Sequence, residues 1–159
     1  MATGFPLVSI VMCTYNGERF IDAQLRSLEQ QTYPDIEFVC SDNNSTDKTA
    51  TILKAWCSKK ENRHFFSCDT KGLNSNFYSA VAHANGEYII FCDQDDVWLP
   101  GKVEKLVAFH LQNPQSSLVY CLSKEFYGEL PADTVIGERH YLEGTDVRKT
   151  MLISFTLGH

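Results

Sequence analysis

Asp93, Asp95 and Asp96 put three carboxylates into the four-residue run Asp93-Gln94-Asp95-Asp96, directly after the apolar stretch Tyr88-Ile89-Ile90-Phe91-Cys92. Carboxylate oxygens suit hard divalent cations such as Mg²⁺ and Mn²⁺, which keep open coordination positions for substrate phosphates. Ligands crowded at the carboxyl end of a buried strand face the usual binding crevice of an α/β sheet. The chemistry expected of this cluster is therefore a cation holding a diphosphate. An isolated Asp-x-Asp also occurs as an acidic turn capping a helix, here one starting near Pro100, so the surrounding elements have to decide.

Those elements alternate. Leu7 to Cys13 is a β-prone run, followed by Phe20, Ile21, Leu25 and Leu28 at helical spacing within residues 19–31. Ile36 to Cys40 is a second strand, bounded by Pro34 and by Asp42-Asn43-Asn44-Ser45, and residues 46–58 carry Ile52, Leu53 and Trp56 on one helical face. A weaker strand at 64–68, a helix at 74–84, the strand 88–92, a helix at 100–112 with Pro100 in its first turn, and a strand at 117–122 continue the pattern. The chain then turns irregular up to Thr145, with a short helix expected from Asp146 to Leu152. Such alternation predicts an α/β fold: a mostly parallel, twisted sheet with helices on both faces.

In such a sheet the loops after the strands share one edge. Thr14-Tyr15-Asn16-Gly17, Asp42-Asn43-Asn44-Ser45 and the Asp93 cluster should then line one cleft. An aspartate at position 42 can accept from a base N–H or a ribose hydroxyl, and Thr14 and Tyr15 can offer backbone and ring to a nucleobase. Each loop also has a plainer reading: Asn16-Gly17 as a turn, and Asn44-Ser45 or Thr46 as a helix N-cap with Asp47 favourable to the helix dipole. Neither Gly-x-Gly-x-x-Gly nor Gly-x-x-x-x-Gly-Lys-Ser/Thr occurs, which leaves a cation-bridged diphosphate as the remaining common way to hold a nucleotide here.

With 159 residues the chain is expected to form a single domain over 1–159. Its net charge of −6 argues against nucleic-acid binding, which needs a basic footprint. No apolar stretch reaches the length of a spanning helix and no signal-type core opens the chain, so a soluble, unexported protein is expected. The six cysteines include no Cys-x-x-Cys pair, and Cys13, Cys40, Cys68, Cys92 and Cys121 lie in or beside strand-like runs. Buried free thiols in a reducing compartment follow.

An ordered set of motifs carries a resemblance. Pro6-Leu7-Val8-Ser9-Ile10-Val11 leads to Thr14-Tyr15-Asn16-Gly17, then come Gln31-Thr32-Tyr33-Pro34, Ser41-Asp42-Asn43-Asn44-Ser45-Thr46-Asp47, Gly86-Glu87-Tyr88 and Asp93-Gln94-Asp95-Asp96-Val97-Trp98. The set resembles glycosyltransferase family 2 with its GT-A fold, strongly over about residues 5 to 110 and loosely beyond. The Asp-Gln-Asp-Asp-x-Trp variant is similar to bacterial transferases that build surface polysaccharides, rhamnosyltransferases included. The resemblance implies inverting sugar transfer from a nucleoside-diphosphate sugar, of UDP or dTDP type, to a glycan or lipid-linked acceptor. It also implies Mg²⁺ or Mn²⁺ as cofactor and a cytoplasmic place, peripheral to the inner membrane face. Carried over by position, Thr14, Tyr15 and Asn16 border the nucleotide, Asp42 contacts the base, and Asp93 lies near the ribose and sugar. Asp95 is the main metal ligand and Asp96 a supporting one. Asn76, four residues after Gly72, lies near the base or phosphates; Lys71 reads first as a solvated lysine and second as a further phosphate partner.

Two departures stand out. The family often has a second acidic residue where this chain has Asn43. Family members also run well past this length and carry their catalytic base there, so the chain is expected to be a C-terminally truncated, donor-binding half whose base lies beyond residue 159. Glu125, Glu129, Asp133, Glu138, Glu143 and Asp146 read as solvated loop acids, His159 resembles an acceptor-side histidine, and His64, His83, His110 and His140 lack ligand spacing. Apolar surface left uncovered by such a cut makes a homodimer an expected way to hide it. Two other functions are weighed. A sugar nucleotidyltransferase should open with a Gly-rich basic loop, but Thr14 to Arg19 has one glycine. A non-catalytic nucleotide-sugar-binding or interaction domain stays open because no base is in sight.

Overall fold

The computed structural model describes residues 4–70 and 72–121, together with the backbone of 141–142 and 150–154. Strands β1 (Val8–Thr14), β2 (Ile36–Asp42), β3 (Arg63–Ser67) and β4 (Tyr88–Cys92) alternate with helices α1 (Ile21–Glu29), α2 (Thr49–Cys57), α3 (Leu73–Val81) and α4 (Lys102–Gln112). Strands β5 (Leu118–Cys121), β6 (Tyr141–Leu142) and β7 (Thr150–Ser154) complete a sheet of order β3-β2-β1-β4-β7-β5-β6. Every pairing is parallel except β5 with β6, as the alternation of strands and helices requires.

Strand residues alternate between two faces because successive side chains point to opposite sides of a pleated sheet. Val8, Ile10 and Met12 of β1 join Phe38, Cys40, Tyr88, Ile90 and Cys92 under α1, α2 and α4, which contribute Leu25, Leu28, Leu53, Trp56, Val103 and Leu106. Val11, Cys13, Val39 and Ile89 form a smaller core on the other face, against Ala80 and Phe77 of α3. That second face also carries polar ties. Ser9 Oγ, Asn85 N and Gly86 N all donate to the Glu37 carboxylate, and a Cβ on Gly86 would lie 2.5 Å from Ser9 N. The Gly86-Glu87-Tyr88 motif thus brings the chain against β1, where only a glycine fits.

The Gln31-Thr32-Tyr33-Pro34 motif is also scaffold. Gln31 Nε2 donates to Leu99 O, Val103 N donates to Gln31 Oε1, and the Tyr33 hydroxyl donates to Pro6 O at 2.7 Å. All six cysteines are free and buried. His110 packs edge-on to Tyr88, and His83 stacks on Phe66.

Two elements differ from expectation. The predicted helix from Asp146 to Leu152 is not formed where it can be seen: Thr150 to Leu152 belong to β7, and residues 146–149 lie outside the described residues. Between β4 and β5 a strand finds backbone partners on both sides, which outweighs the gain from a lone helical turn. α4 starts at Lys102, after a turn through Pro100 and Gly101, rather than at Pro100.

Candidate active site

Because β1, β2 and β4 run parallel with Thr14 opposite Asp42 and Met12 opposite Cys92, their carboxyl ends meet at one edge. A cleft of about 640 Å³ opens there, and Thr14, Tyr15, Asn43, Asn76, Asp93 and Asp95 are among its lining residues. The three polar loops therefore do converge. Tyr15 stands at the lip with 57% of its surface exposed, and Leu73 at the start of α3 is 65% exposed.

Behind the lining, the first two loops are cross-tied. Asn16 N donates to Ser45 Oγ, Thr46 N to Asn16 Oδ1, Gly17 N to Thr49 Oγ1, Glu18 N to Asp47 and Lys48 N to Glu18. Asn16 and Asn44 take left-handed φ angles of 49° and 61°, a conformation asparagine tolerates better than most residues. Lys48 occupies the N-cap position of α2, and it is Asp47 just before it, rather than Asn44-Ser45 or Thr46, whose Oδ1 accepts from Thr49 N in the first turn. Asp42 is 3% exposed and sits under the cleft rather than in its lining. Its Oδ1 accepts from Thr14 Oγ1 at 2.8 Å and from Ser45 Oγ at 2.6 Å, and its Oδ2 accepts from Ser45 N at 2.8 Å. Asp42 thereby fixes the first two loops to each other.

Asn43 has a structural reason to be an amide where the family resemblance leads one to expect an acid. Its Nδ2 donates to Thr70 O at 2.7 Å and reaches Cys68 O at 3.5 Å, while Oδ1 accepts from Gly72 N at 2.9 Å. A carboxylate has no donor for those carbonyls. The asparagine pulls the segment between β3 and α3 over the cleft, and Asn76 holds the helix that follows by bonding Ser41 Oγ and Ser41 O on β2. Lys71 lies outside the described residues, as do His140, His159 and the carboxylates from Glu125 to Asp146.

The Asp93–Asp96 run faces the first loop across the cleft. Gln94 Oε1 accepts from Tyr15 N at 2.9 Å and Nε2 donates to Tyr15 O at 3.0 Å. Partial burial, reinforced by the charges of Asp96 and Asp95, raises the Asp93 pKa above the ordinary aspartate value. No described group donates a hydrogen bond to the Asp93 or Asp95 carboxylate. Asp96 is half-buried and outside the cleft lining, on the side of Lys102. Burial lowers the Lys102 pKa against the pull of Asp96, and its ammonium lies 3.8 Å from the centre of the Trp98 ring.

This donor set fits a hard divalent cation. Among the described residues no three His, Cys, Asp or Glu side chains are grouped to hold a metal ion by themselves. Two carboxylates at the cleft edge, to which no described group donates, instead match the habit of Mg²⁺ and Mn²⁺, which take one or two protein carboxylates and fill the remaining positions with phosphate and water.

A profile of glycosyl transferase family 2 matches residues 9–158. The chain belongs to glycosyl transferase family 2. It is 33% identical over 107 residues to the Escherichia coli UDP-Glc:alpha-D-GlcNAc-diphosphoundecaprenol beta-1,3-glucosyltransferase WfgD, covering 67% of this chain and 42% of that protein. Among solved structures it resembles Staphylococcus aureus TarS (residues 1–349) in complex with UDP, at TM-score 0.68 and 28% identity over 79% of this chain and 38% of that one. It also resembles the Pyrobaculum calidifontis mannosyltransferase PcManGT in complex with GDP-Man and Mn²⁺, at TM-score 0.65 and 26% identity over 77% and 37%. The chain spans under half the length of the curated relatives it matches. The family 2 fold is GT-A, with the α/β sheet and convergent loops expected from the strand order.

Sequence reading missed the Asn43 clamp, the Gln94 clasp and the place of Leu73. One signal was present: Gly17 could have pointed to a close neighbour, since a Cβ there would lie 2.3 Å from Gln94 Oε1.

Proposed function

We propose that this family 2 chain forms the donor site of a bacterial glycosyltransferase that moves a sugar, with inversion, from a nucleoside-diphosphate sugar to a glycan or lipid-linked acceptor. The observation that carries the reading is the sharing of one cleft by Tyr15, 57% exposed, and the carboxylates of Asp93 and Asp95. In this reading Thr14, Tyr15 and Asn16 border the nucleotide, the first two directly and Asn16 by bracing the loop. Asp42, beneath the lining, holds Thr14 and Ser45 in place, and its Oδ2, which among the described residues accepts from Ser45 N, would take a base N–H that reaches down past Thr14. Asn76 steadies the wall beside base and phosphates, and Asp93 lies toward the ribose and sugar.

Asp95 would hold Mg²⁺ or Mn²⁺ from the cleft edge with Asp93 beside it, and Asp96, outside the lining on the Lys102 side, would support the site from behind. When bound, such a cation neutralises charge on the departing diphosphate. Asp95 would meet the pyrophosphate only through that cation, because bare carboxylates repel a diphosphate, while Asp93 stays on the ribose and sugar side. The base that takes the acceptor proton is assigned to none of the described carboxylates. UDP and dTDP sugars are the proposed donors, in line with the UDP complex of TarS. A diphosphoundecaprenol-linked acceptor, as in the name of the E. coli relative, would place the reaction at the cytoplasmic face of the membrane. No helix among the described residues is long and apolar enough to cross one.

Thermal unfolding with UDP, dTDP or GDP, each with Mn²⁺ or EDTA, tests this. A nucleotide at about 100 times its dissociation constant should stabilise the fold by about 2.7 kcal/mol, a shift of several degrees that EDTA removes. A folded sample that responds to none of them would instead be a non-catalytic interaction domain.

A further inference from the structure

We propose that Gln94 is a positioning residue that joins the base-side loop and the carboxylate loop into one body, so that filling either side of the cleft strengthens binding at the other. The inference rests on the donor-site reading above and adds a coupling to it. Gln94 stands between Asp93 and Asp95 in the cleft lining, and both polar atoms of its amide are taken up in a two-point ring on the Tyr15 backbone at 2.9 and 3.0 Å. The ring needs one acceptor and one donor at equal reach. Glutamine supplies both, whereas a glutamate in its place would set an acceptor against Tyr15 O.

The fit leaves no slack. A Cβ on Gly17 would lie 2.3 Å from Gln94 Oε1 and 2.5 Å from its Cδ, so the first loop rests directly on this amide. The remainder of that loop is bonded to the Ser45–Thr49 segment. The Gln94 pair joins this braced assembly to the Asp93–Asp96 run through two hydrogen bonds. A nucleobase that orders Tyr15 therefore orders Gln94, and with it the backbone bearing both carboxylates. A cation arriving next meets a loop whose ordering cost is already met, and linkage makes the effect reciprocal.

The test separates this route from direct bridging of metal and phosphate. Uridine, thymidine and guanosine carry a base and no phosphate, so any effect on cation affinity must travel through the protein. Mn²⁺ binding to the full chain is titrated by electron paramagnetic resonance with and without each nucleoside. The nucleoside matching the preferred nucleotide should tighten Mn²⁺ about fivefold, the low end of usual coupling strengths. In Gln94→Met, and separately in Gly17→Ala, that factor should fall to about one, with unfolding temperatures within a few degrees of the parent. Gly17→Ala leaves residue 94 untouched and displaces its amide, so it reads the same coupling if Gln94→Met folds poorly. In both variants the matching nucleoside diphosphate should still raise Mn²⁺ affinity, because the diphosphate bridges directly.

Coupling of parental size in the folded variants overturns the proposal. So does a parent in which the diphosphates enhance Mn²⁺ binding and no nucleoside does. Absence of Mn²⁺ uptake with UDP, dTDP and GDP alike overturns the donor-site reading itself, and the coupling with it.

Discussion

The two faces of the sheet are built differently. Under α1, α2 and α4 lies a broad apolar core in which Ile10, Met12, Leu53 and Ile90 are wholly buried. Under α3 the apolar cluster is small, and polar ties take over: Asn76 to Ser41, Asn43 to the segment before the helix, and the Glu37 cluster at the far end of the strands. Non-directional burial holds the first face and directional hydrogen bonds hold the second. The cleft opens on the α3 side, where fixed amides and carboxylates set positions that apolar packing alone would leave loose.

The sharpest test of this contrast is Leu53→Ala. Leu53 is fully buried in the three-helix face, so its truncation should cost about 2–5 kcal/mol in urea unfolding. Nucleotide affinity of the folded fraction should stay unchanged, and a loss of affinity larger than the stability loss would blur the distinction between faces. Asp95→Asn should do the reverse. It should remove the Mn²⁺-dependent stabilisation by nucleotide, about 2.7 kcal/mol at 100 times the dissociation constant, while the ligand-free melting temperature holds or rises.

Asn43→Asp comes next, with about 1–3 kcal/mol of stability lost as the carbonyls of Thr70 and Cys68 face a carboxylate. Calorimetry should show roughly tenfold weaker nucleotide binding, since the wall of the cleft is released. The smallest effect belongs to Glu37. Burial works to raise its pKa, but the donors from Ser9, Asn85 and Gly86 outweigh it, and the net shift is downward. A carboxylate with a depressed folded pKa adds stability that is present above its unfolded pKa and lost as pH falls through the folded value. Melting temperatures should therefore drop more steeply between about pH 5 and pH 3 in the parent than in Glu37→Gln.

Much of this architecture could be read from residue order. The runs Leu7–Cys13, Ile36–Cys40 and Tyr88–Cys92 became the three central strands, because continuous β-branched and apolar residues suit strands covered on both faces. Loop convergence followed from parallel order alone. β7 was misread because its fate depends on a vacant slot between β4 and β5, which is a property of the sheet and not of the local sequence. The site divides in the same way. Asp93, Asp95 and Tyr15 were visible by type and placement, but the tasks of Asn43 and Gln94 depend on backbone groups 27 and 79 residues away in the chain. An asparagine among loop residues gives no hint of such a partner.

The six hidden thiols give the molecule a built-in reporter of its own opening. Cys57 lies in α2, Cys92 closes β4 and Cys13 forms part of the cleft floor, with burial pushing the Cys13 and Cys92 thiols far above their ordinary titration range. A maleimide added to the native chain should find almost nothing to alkylate. Whatever it does label, site by site and minute by minute, records which layer of the structure breathed first.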